Sequence, residues 1–240
     1  LAITDTLVEA AQLFTISLTS PSPASRASVP PGNMGAVTII DPIVVTTTND
    51  DGPGSLRQAF RTAAANSWAG RITFAPGLSG QTITLGSELV IDDFVGVTVD
   101  ASSLPKGLIL DGAGYTRILR TVGVTIIDLR HMTFARGRSE LDGGAFYLHD
   151  GVVSVSYCTF TENSADLRGG GIFNDSAKVT ISHCTFWGNS ADRQGGAVRN
   201  GPTGLIRLRG FTFCAFSASF FFFFFFDYII RMNLDLCVSA

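Results

Sequence analysis

The sequence contains little charge. Only 15% of its 240 residues are Asp, Glu, Lys or Arg, the formal net charge is -3 at pH 7, and lysine occurs only at Lys106 and Lys178. Nucleic-acid binding needs a basic patch or stripe, and attraction to an anionic membrane surface needs a basic cluster. The composition therefore predicts neither of these functions.

Cysteine is also scarce. The four cysteines are Cys158, Cys184, Cys214 and Cys237, and no two of them form a C-x-x-C pair. Structural zinc sites draw their ligands from such closely spaced pairs. We therefore predict no zinc site and no required cofactor.

Leader and catalytic motifs are missing as well. The chain starts at Leu1 with no charged segment before an apolar run, so no signal peptide is visible, and we interpret the sequence as a truncated fragment. It contains neither a Gly-x-Ser-x-Gly elbow nor a phosphate-binding loop.

What the sequence does contain is a 26-residue repeat. Residues 153–174 align without a gap with residues 179–200, and the same spacing relates Gly143-Gly144, Gly169-Gly170 and Gly195-Gly196. Each copy consists of short β-branched runs separated by Gly and Asn, which is typical of the rungs of a parallel solenoid. We predict an all-β fold, a right-handed parallel β-helix with coils about 4.8 Å apart.

In-register stacking predicts ladders of equivalent residues. Those expected are Phe134, Phe160 and Phe186, then Cys158 and Cys184, and finally Asn163 and Asn189. The phenylalanines should point inward, and the asparagines should form an amide ladder at a turn. Parallel Cβ vectors on neighbouring coils suit buried free thiols better than a disulfide.

Composition divides the chain into four parts. These are a partial β-sandwich at 1–42, a strand and a capping helix at 43–70, the β-helix at 71–210, and a hydrophobic tail at 211–240. In the second part, Ser55 is a suitable helix N-cap, and an apolar stripe from Leu56 to Ala63 should cover the first coil.

The tail departs from the repeat. Seven consecutive phenylalanines occupy Phe220–Phe226, and the apolar run Phe211–Ile230 is long enough to cross a membrane. We interpret 211–240 as non-native or disordered sequence from a frameshift, in preference to a membrane anchor or a divergent coil. Translating the DNA in the other two frames beyond Arg209 would test this.

Two sets of residues are candidates for chemistry. Glu140, Asp166 and Asp192 share one repeat position, where they form either a seam that binds a divalent cation such as calcium or a solvated turn, and the turn is favoured. His131 and His183 also share a position, but Tyr157 separates them by two coil spacings, too far for one metal ion.

Carboxylates are dense enough for a glycosidase pair only in the early coils. They are Asp92, Asp93, Asp100 and Asp111. No His or Arg accompanies them in the pattern of a lyase or galacturonase, and Asp111-Gly-Ala-Gly114 is interpreted as a turn. We therefore predict that the chain is not an enzyme.

Two segments before the repeat resemble known proteins. Residues 3–41, with Asp5-Thr-Leu-Val-Glu9 and Val37-Thr-Ile-Ile-Asp41, resemble the C-terminal half of a Calx-beta domain. That family binds calcium, although Ala10, Ala11 and Gln12 stand where its acidic pair usually lies. The run Asp51-Gly-Pro-Gly-Ser-Leu-Arg-Gln-Ala59 resembles the opening motif of bacterial surface proteins.

The repeat itself resembles the polymorphic outer-membrane proteins and related β-helical adhesins. The matching elements are Phe160-Thr-Glu-Asn163, Phe186-Trp-Gly-Asn189 and Gly195-Gly-Ala197. The resemblance implies a secreted, cell-surface or outer-membrane protein of bacterial type that binds a protein or glycan. The alternatives are a carbohydrate-active β-helix enzyme, which would need a groove with convergent carboxylates and a base, and a structural spacer.

Overall fold

The computed structural model describes residues 42–65, 70–92, 96–123, 125–214 and 234–237. The chain divides into two units between Pro42 and Ile43. The predicted β-sandwich fragment lies, except for Pro42, outside the described residues.

The second unit is built almost entirely from short strands. In chain order the elements are β1 Ile43–Val45, α1 Leu56–Ala65, β2 Gly70–Phe74, a 3-10 turn Pro76–Leu78, β3 Thr82–Thr84, β4 Leu89–Asp92, β5 Val97–Asp100, β6 Leu108–Asp111, β7 Leu119–Val122, β8 Ile126–Arg130, β9 Met132–Ala135, β10 Arg138–Ser139, β11 Phe146–Leu148, β12 Val152–Ser156, β13 Thr159–Thr161, β14 Ser164–Ala165, β15 Ile172–Asn174, β16 Lys178–Ser182, β17 Thr185–Trp187, β18 Ser190–Ala191, β19 Val198–Asn200, β20 Leu205–Arg209, β21 Phe211–Cys214 and β22 Leu234–Cys237.

The strands form parallel sheets that wrap around a common core. Sheet 1 has the order β1-β2-β5-β8-β12-β16-β20, sheet 2 the order β3-β6-β9-β13-β17-β21-β22, and sheet 3 the order β4-β7-β11-β15-β19. A short sheet of β10, β14 and β18 lies in sequence between sheets 2 and 3. The chain makes about six turns, and the predicted all-β parallel β-helix is confirmed.

The register follows the 26-residue spacing from β8 to β19, whereas paired residues in the earlier coils are 24 to 30 positions apart. Val153 pairs with Val179, but Lys178 pairs with Leu205, 27 positions later. The loop Gly201–Gly204 holds the extra residue, so that Phe213 still pairs with Phe186. Strand pairing therefore continues through Cys214, past the predicted boundary at 210. Of the rest of the predicted tail, only β22 lies within the described residues.

The core is continuous from the helix to the last coils. Helix α1 starts where the Ser55 hydroxyl accepts a hydrogen bond from the Gln58 N–H at 3.1 Å, an N-cap that satisfies one free donor of the first turn. Its apolar stripe, which includes Leu56 and Phe60, is buried in the same cluster as Val45 of β1. The helix thus caps the first rung, as predicted.

Candidate binding surface

The three repeat phenylalanines form one buried column. Phe134, Phe160 and Phe186 pair in register on β9, β13 and β17. Phe160 lies 5.0 Å from Phe134 and 4.8 Å from Phe186 between ring centroids. Phe146 of sheet 3 packs edge-on against Phe134 and Phe160, 4.6 and 5.0 Å away. This column fills the interior and exposes nothing to a ligand.

Asn163 and Asn189 form a buried amide ladder. The Asn163 Nδ2 donates to Asn189 Oδ1 at 2.8 Å and to the Phe134 carbonyl at 3.0 Å, while its Oδ1 accepts from the Gly137 N–H at 2.7 Å. Asn189 repeats the pattern one coil later through the Phe160 carbonyl, 2.8 Å away. Their polar groups therefore satisfy the turn backbone.

Cys158 and Cys184 are buried free thiols on neighbouring coils. The Cys158 thiol donates toward the Ser156 carbonyl at 3.2 Å, and the Cys184 thiol toward the Ser182 carbonyl at 3.3 Å. Burial raises the pKa of Cys158 well above its ordinary value, and its hydrogen-bonded neighbour Cys184 adds to the effect. Such a thiol stays protonated and is a poor nucleophile.

The predicted acidic seam has no gathered carboxylates. Asp166 pairs with Arg138 at 2.6 Å. The Asp166 N–H donates to the Ser139 carbonyl, and the Asp192 N–H donates to the Ala165 carbonyl. These backbone hydrogen bonds place the shared position on a turn. Across the described ranges, no three His, Cys, Asp or Glu side chains are grouped to hold a metal ion. Glu140 and Asp192 are exposed beside this ion pair.

The early carboxylates that the structure describes are separated, and two of them are paired with arginines. Asp100, on sheet 1, accepts from the Ser102 N–H at 2.9 Å and from Arg71 at 2.8 Å. Asp111, on sheet 2, accepts from the Ala113 N–H at 2.7 Å and pairs with Arg136. Asp92 is exposed, and Asp93 lies outside the described residues. The structure does not bring Asp92, Asp100 and Asp111 together.

A row of aromatic residues marks the corner between sheets 1 and 2. His131, Tyr157 and His183 adopt left-handed backbone angles, with φ of 59°, 55° and 53°. Their rings stack in parallel with centroids 5.0 and 4.8 Å apart. Because each ring covers the next, the stack turns ring edges outward, and Tyr157 is 55% exposed.

The outer face of sheet 2 continues from this corner as a column of threonines. Thr133, Thr159 and Thr185 pair in register, each next to an inward phenylalanine and therefore outward. The neighbouring outward position holds Thr161 and then Trp187, which is 44% exposed. We name the six residues Thr133, Tyr157, Thr159, Thr161, Thr185 and Trp187 the hydroxyl strip.

Sheet 3 carries a different surface, built from arginines. Arg168 binds Asp142 through two hydrogen bonds of 2.9 and 2.7 Å and places its guanidinium 4.6 Å from the Phe173 ring centre. Arg117 donates to Glu88 at 2.6 Å and to the Gly143 carbonyl at 2.8 Å. The N–H groups of these arginines are engaged in hydrogen bonds within the protein, so few of them remain to bind a ligand.

Comparison with known families finds a match on the repeat. Residues 157–175 match the Chlamydia polymorphic membrane protein repeat. No curated protein matches the chain. The predicted resemblance to this repeat is thereby supported by an independent comparison, while the Calx-beta resemblance stays a prediction.

The matched polymorphic membrane protein repeat spans most of one coil. It starts at the aromatic corner, includes the ladder residues Phe160 and Asn163 and the Gly169-Gly170 turn, and ends after Asn174. The matched segment of this chain therefore contains the residues that stack one coil on the next.

Two features escaped the interpretation of the sequence. Asn174 donates to Asn200 Oδ1 at 2.8 Å and exchanges hydrogen bonds of 3.0 Å with Ala177, a second amide ladder that the 26-residue spacing already contained. The hydroxyl strip also repeats at that spacing, at Thr133, Thr159 and Thr185. Its position became apparent only once the strand register was known.

Proposed function

We propose that this chain is part of a non-enzymatic, adhesin-type β-helix protein of a bacterial cell surface or outer membrane. The described coils offer extended outer faces for a protein or glycan partner. The proposal requires no cofactor. It rests on the match of residues 157–175 to a repeat of a membrane protein family, because the matched segment contains the residues that stack one coil on the next.

The chemistry of the outer faces favours binding over catalysis. Among the described residues, Ser176 and His149 form a serine–histidine contact, with Ser176 Oγ 3.4 Å from His149 Nδ1. That nitrogen is 2.9 Å from Asp175, however, and the Ser176 hydroxyl donates to Asp150 at 2.8 Å. A serine nucleophile needs a base free to take its proton, so this arrangement does not form a relay.

Membrane attachment is a separate question. Within the described ranges, none of the helices has the length and apolar character required to cross a bilayer.

Surface display is tested by protease accessibility on intact cells that express the full-length protein. We expect an antibody against residues 126–209 to label intact cells, and external protease to remove the label. Labelling that appears only after permeabilisation would contradict the proposal. A cytosolic protein of the same cells is the matched control.

Adhesion is tested with the purified chain coupled to beads and offered to host-type cells. We expect saturable bead binding that soluble chain competes away, while albumin-coated beads stay unbound. Equal binding by both kinds of bead would contradict the adhesive role, although the protein could still be displayed on the surface.

A further inference from the structure

The hydroxyl strip has polar atoms that the protein itself does not use. Within the described part of the chain, the hydroxyls of Thr133, Thr159 and Thr185 have no hydrogen-bond partner. The Tyr157 hydroxyl is likewise without one, whereas the Tyr115 and Tyr147 hydroxyls donate to Leu85 and Asp175. These groups are therefore available to a ligand.

The strip is also uncharged, unlike the neighbouring faces. None of its six residues is Asp, Glu, Lys or Arg; charged side chains border it at Arg130 on the sheet 1 side and at Arg136 and Glu162 at the next corner. On sheet 1, the outward column Asp128, Ser154, Thr180 and Arg207 is interrupted by charges. An uncharged row of hydroxyls complements an uncharged polyol better than it complements an anionic or cationic partner.

The spacing of the strip suits a ligand that repeats along the solenoid axis. Parallel pairing places Thr133, Thr159 and Thr185 about 4.8 Å apart. Sugar units of an extended β-1,4-linked glycan advance by nearly the same distance, so successive units could meet successive hydroxyls. Trp187 stands at one edge of the row and offers an aromatic surface, which is suited to the apolar C–H face of a pyranose.

From the free hydroxyls, the missing charge, the axial repeat and the exposed tryptophan, we infer that the hydroxyl strip binds an extended, uncharged β-1,4-linked glycan chain lying along the solenoid axis. This inference rests on the proposed surface function and names the chemical class of its partner. Tyr157 and the threonines supply hydrogen bonds, and Trp187 supplies stacking.

Calorimetric titration of the full chain with cellohexaose tests the inference. Maltohexaose, which is curved, and polygalacturonate, which is charged, are the comparison ligands. We expect cellohexaose to bind and both comparison ligands to bind at least about tenfold more weakly. Absence of cellohexaose binding, or equal binding of any comparison ligand, would overturn the inference.

Variants locate the binding site. The double variant Thr159→Val, Thr185→Val keeps the branched side-chain shape but removes two hydroxyls, and Trp187→Ala removes the ring. Each should weaken cellohexaose binding by about tenfold, because polar groups of the glycan lose their partners or its apolar face loses its contact. Thr180→Val on sheet 1 is the matched control and should change the affinity by less than about twofold.

The folding of each variant is checked by its thermal unfolding. If the control weakens binding as much as the strip variants do, or if the strip variants bind like the wild type, the site is elsewhere and the inference fails. A chain that is displayed and adhesive but does not bind cellohexaose would refute the glycan inference alone, because the display and adhesion tests do not depend on binding of this oligosaccharide.

Discussion

At the scale of the residue, the solenoid is held together by side chains that stack on equivalents one coil away. Phe160 lies between Phe134 and Phe186, and Asn163 bonds to Asn189. An apolar ring gains contact on both faces, and a buried amide finds both a donor and an acceptor in its neighbours. The same residue type is therefore favoured at the same position in successive coils.

Replacing Phe160 with Ala should lower the free energy of unfolding by about 3–5 kcal/mol, because the cavity would open at the centre of a fully buried column. Chemical denaturation measures the change. Trp187→Ala removes an aromatic ring from the surface and should cost no more than about 1 kcal/mol. Similar losses of unfolding free energy in the two variants would contradict the assignment of Phe160 to a buried column.

Asp100 should make the stability of the protein depend on acid pH. Burial alone would raise the pKa of this carboxyl, but hydrogen bonds from Ser102 and Arg71 outweigh it and lower the pKa below 3.8. A lowered pKa stabilises the fold above pH 3.8, and this contribution is lost as the pH falls through the lower folded value. Asp100→Asn removes the titrating group.

Unfolding of the two proteins should be followed from pH 7 down to the acid range. We expect the wild type to lose stability relative to Asp100→Asn only at the acid end. A constant difference between the two across the whole range would show that Asp100 contributes no such dependence.

At the scale of the element, the corners decide whether neighbouring coils can approach. Gly169 takes a left-handed φ of 67°, and Gly170 lies so close to the next coil that a Cβ would come 2.0 Å from the Ser190 carbonyl oxygen. Backbone cannot move away here without breaking the ladder. The Gly-Gly pairs are therefore needed for the close packing of neighbouring coils as well as for the turn.

Gly170→Ala should destabilise the fold by about 3 kcal/mol or more, because the new methyl group meets backbone atoms of the following coil. Gly77→Ala is the matched control, since a Cβ there has no atom within 4 Å, and it should change stability by no more than about 0.5 kcal/mol. Thermal unfolding compares them. Equal melting temperatures would show that the corner tolerates a side chain.

At the scale of the whole molecule, the described faces differ in how they use their polar groups. Sheet 3 engages Arg117 and Arg168 in ion pairs, sheet 1 mixes charges with hydroxyls, and sheet 2 carries the hydroxyl strip. Hydrolysis of a glycan would need two carboxylates positioned around one bond. Asp100 and Asp111 lie on different sheets, each bound by its own arginine.

The purified chain should therefore show no lyase or hydrolase turnover on pectic or other acidic glycans. Reducing-end release and absorbance of unsaturated products are the measurements. Product release that disappears in Asp92→Asn or Asp111→Asn would contradict this and favour the alternative of a carbohydrate-active enzyme.

Calcium should not stabilise the described coils, because Asp166 is paired with Arg138 and no metal-holding group surrounds it among the described residues. The melting temperature is measured with millimolar calcium and with a chelator. A rise with calcium that is lost in Asp166→Asn would restore the cation seam, whereas a rise unaffected by that substitution would place calcium elsewhere.

The sequence by itself determined the fold class, the 26-residue spacing of the repeat coils and the positions of the Phe, Cys and first Asn ladders, because a repeat without gaps can stack only equivalent residues. It predicted helix α1 for a similar reason, since the Ser55 cap and the apolar stripe are local signals. The extra residue that shifts Phe213 to 27 positions after Phe186 lies in the loop Gly201–Gly204, and the sequence did not predict that this loop would hold it. A loop's ability to take up an insertion depends on space around it.

Only the tertiary structure decided which polar groups remain available. Asp111 and Arg136 are 25 positions apart in the sequence, and Arg117 and Glu88 are 29 positions apart. No local sequence pattern therefore predicts these ion pairs. The same holds for the hydroxyl strip, whose threonines look like any strand residues until the register sets them side by side and facing outward. Strand alternation is local, but partnership between side chains arises only when distant coils are brought together.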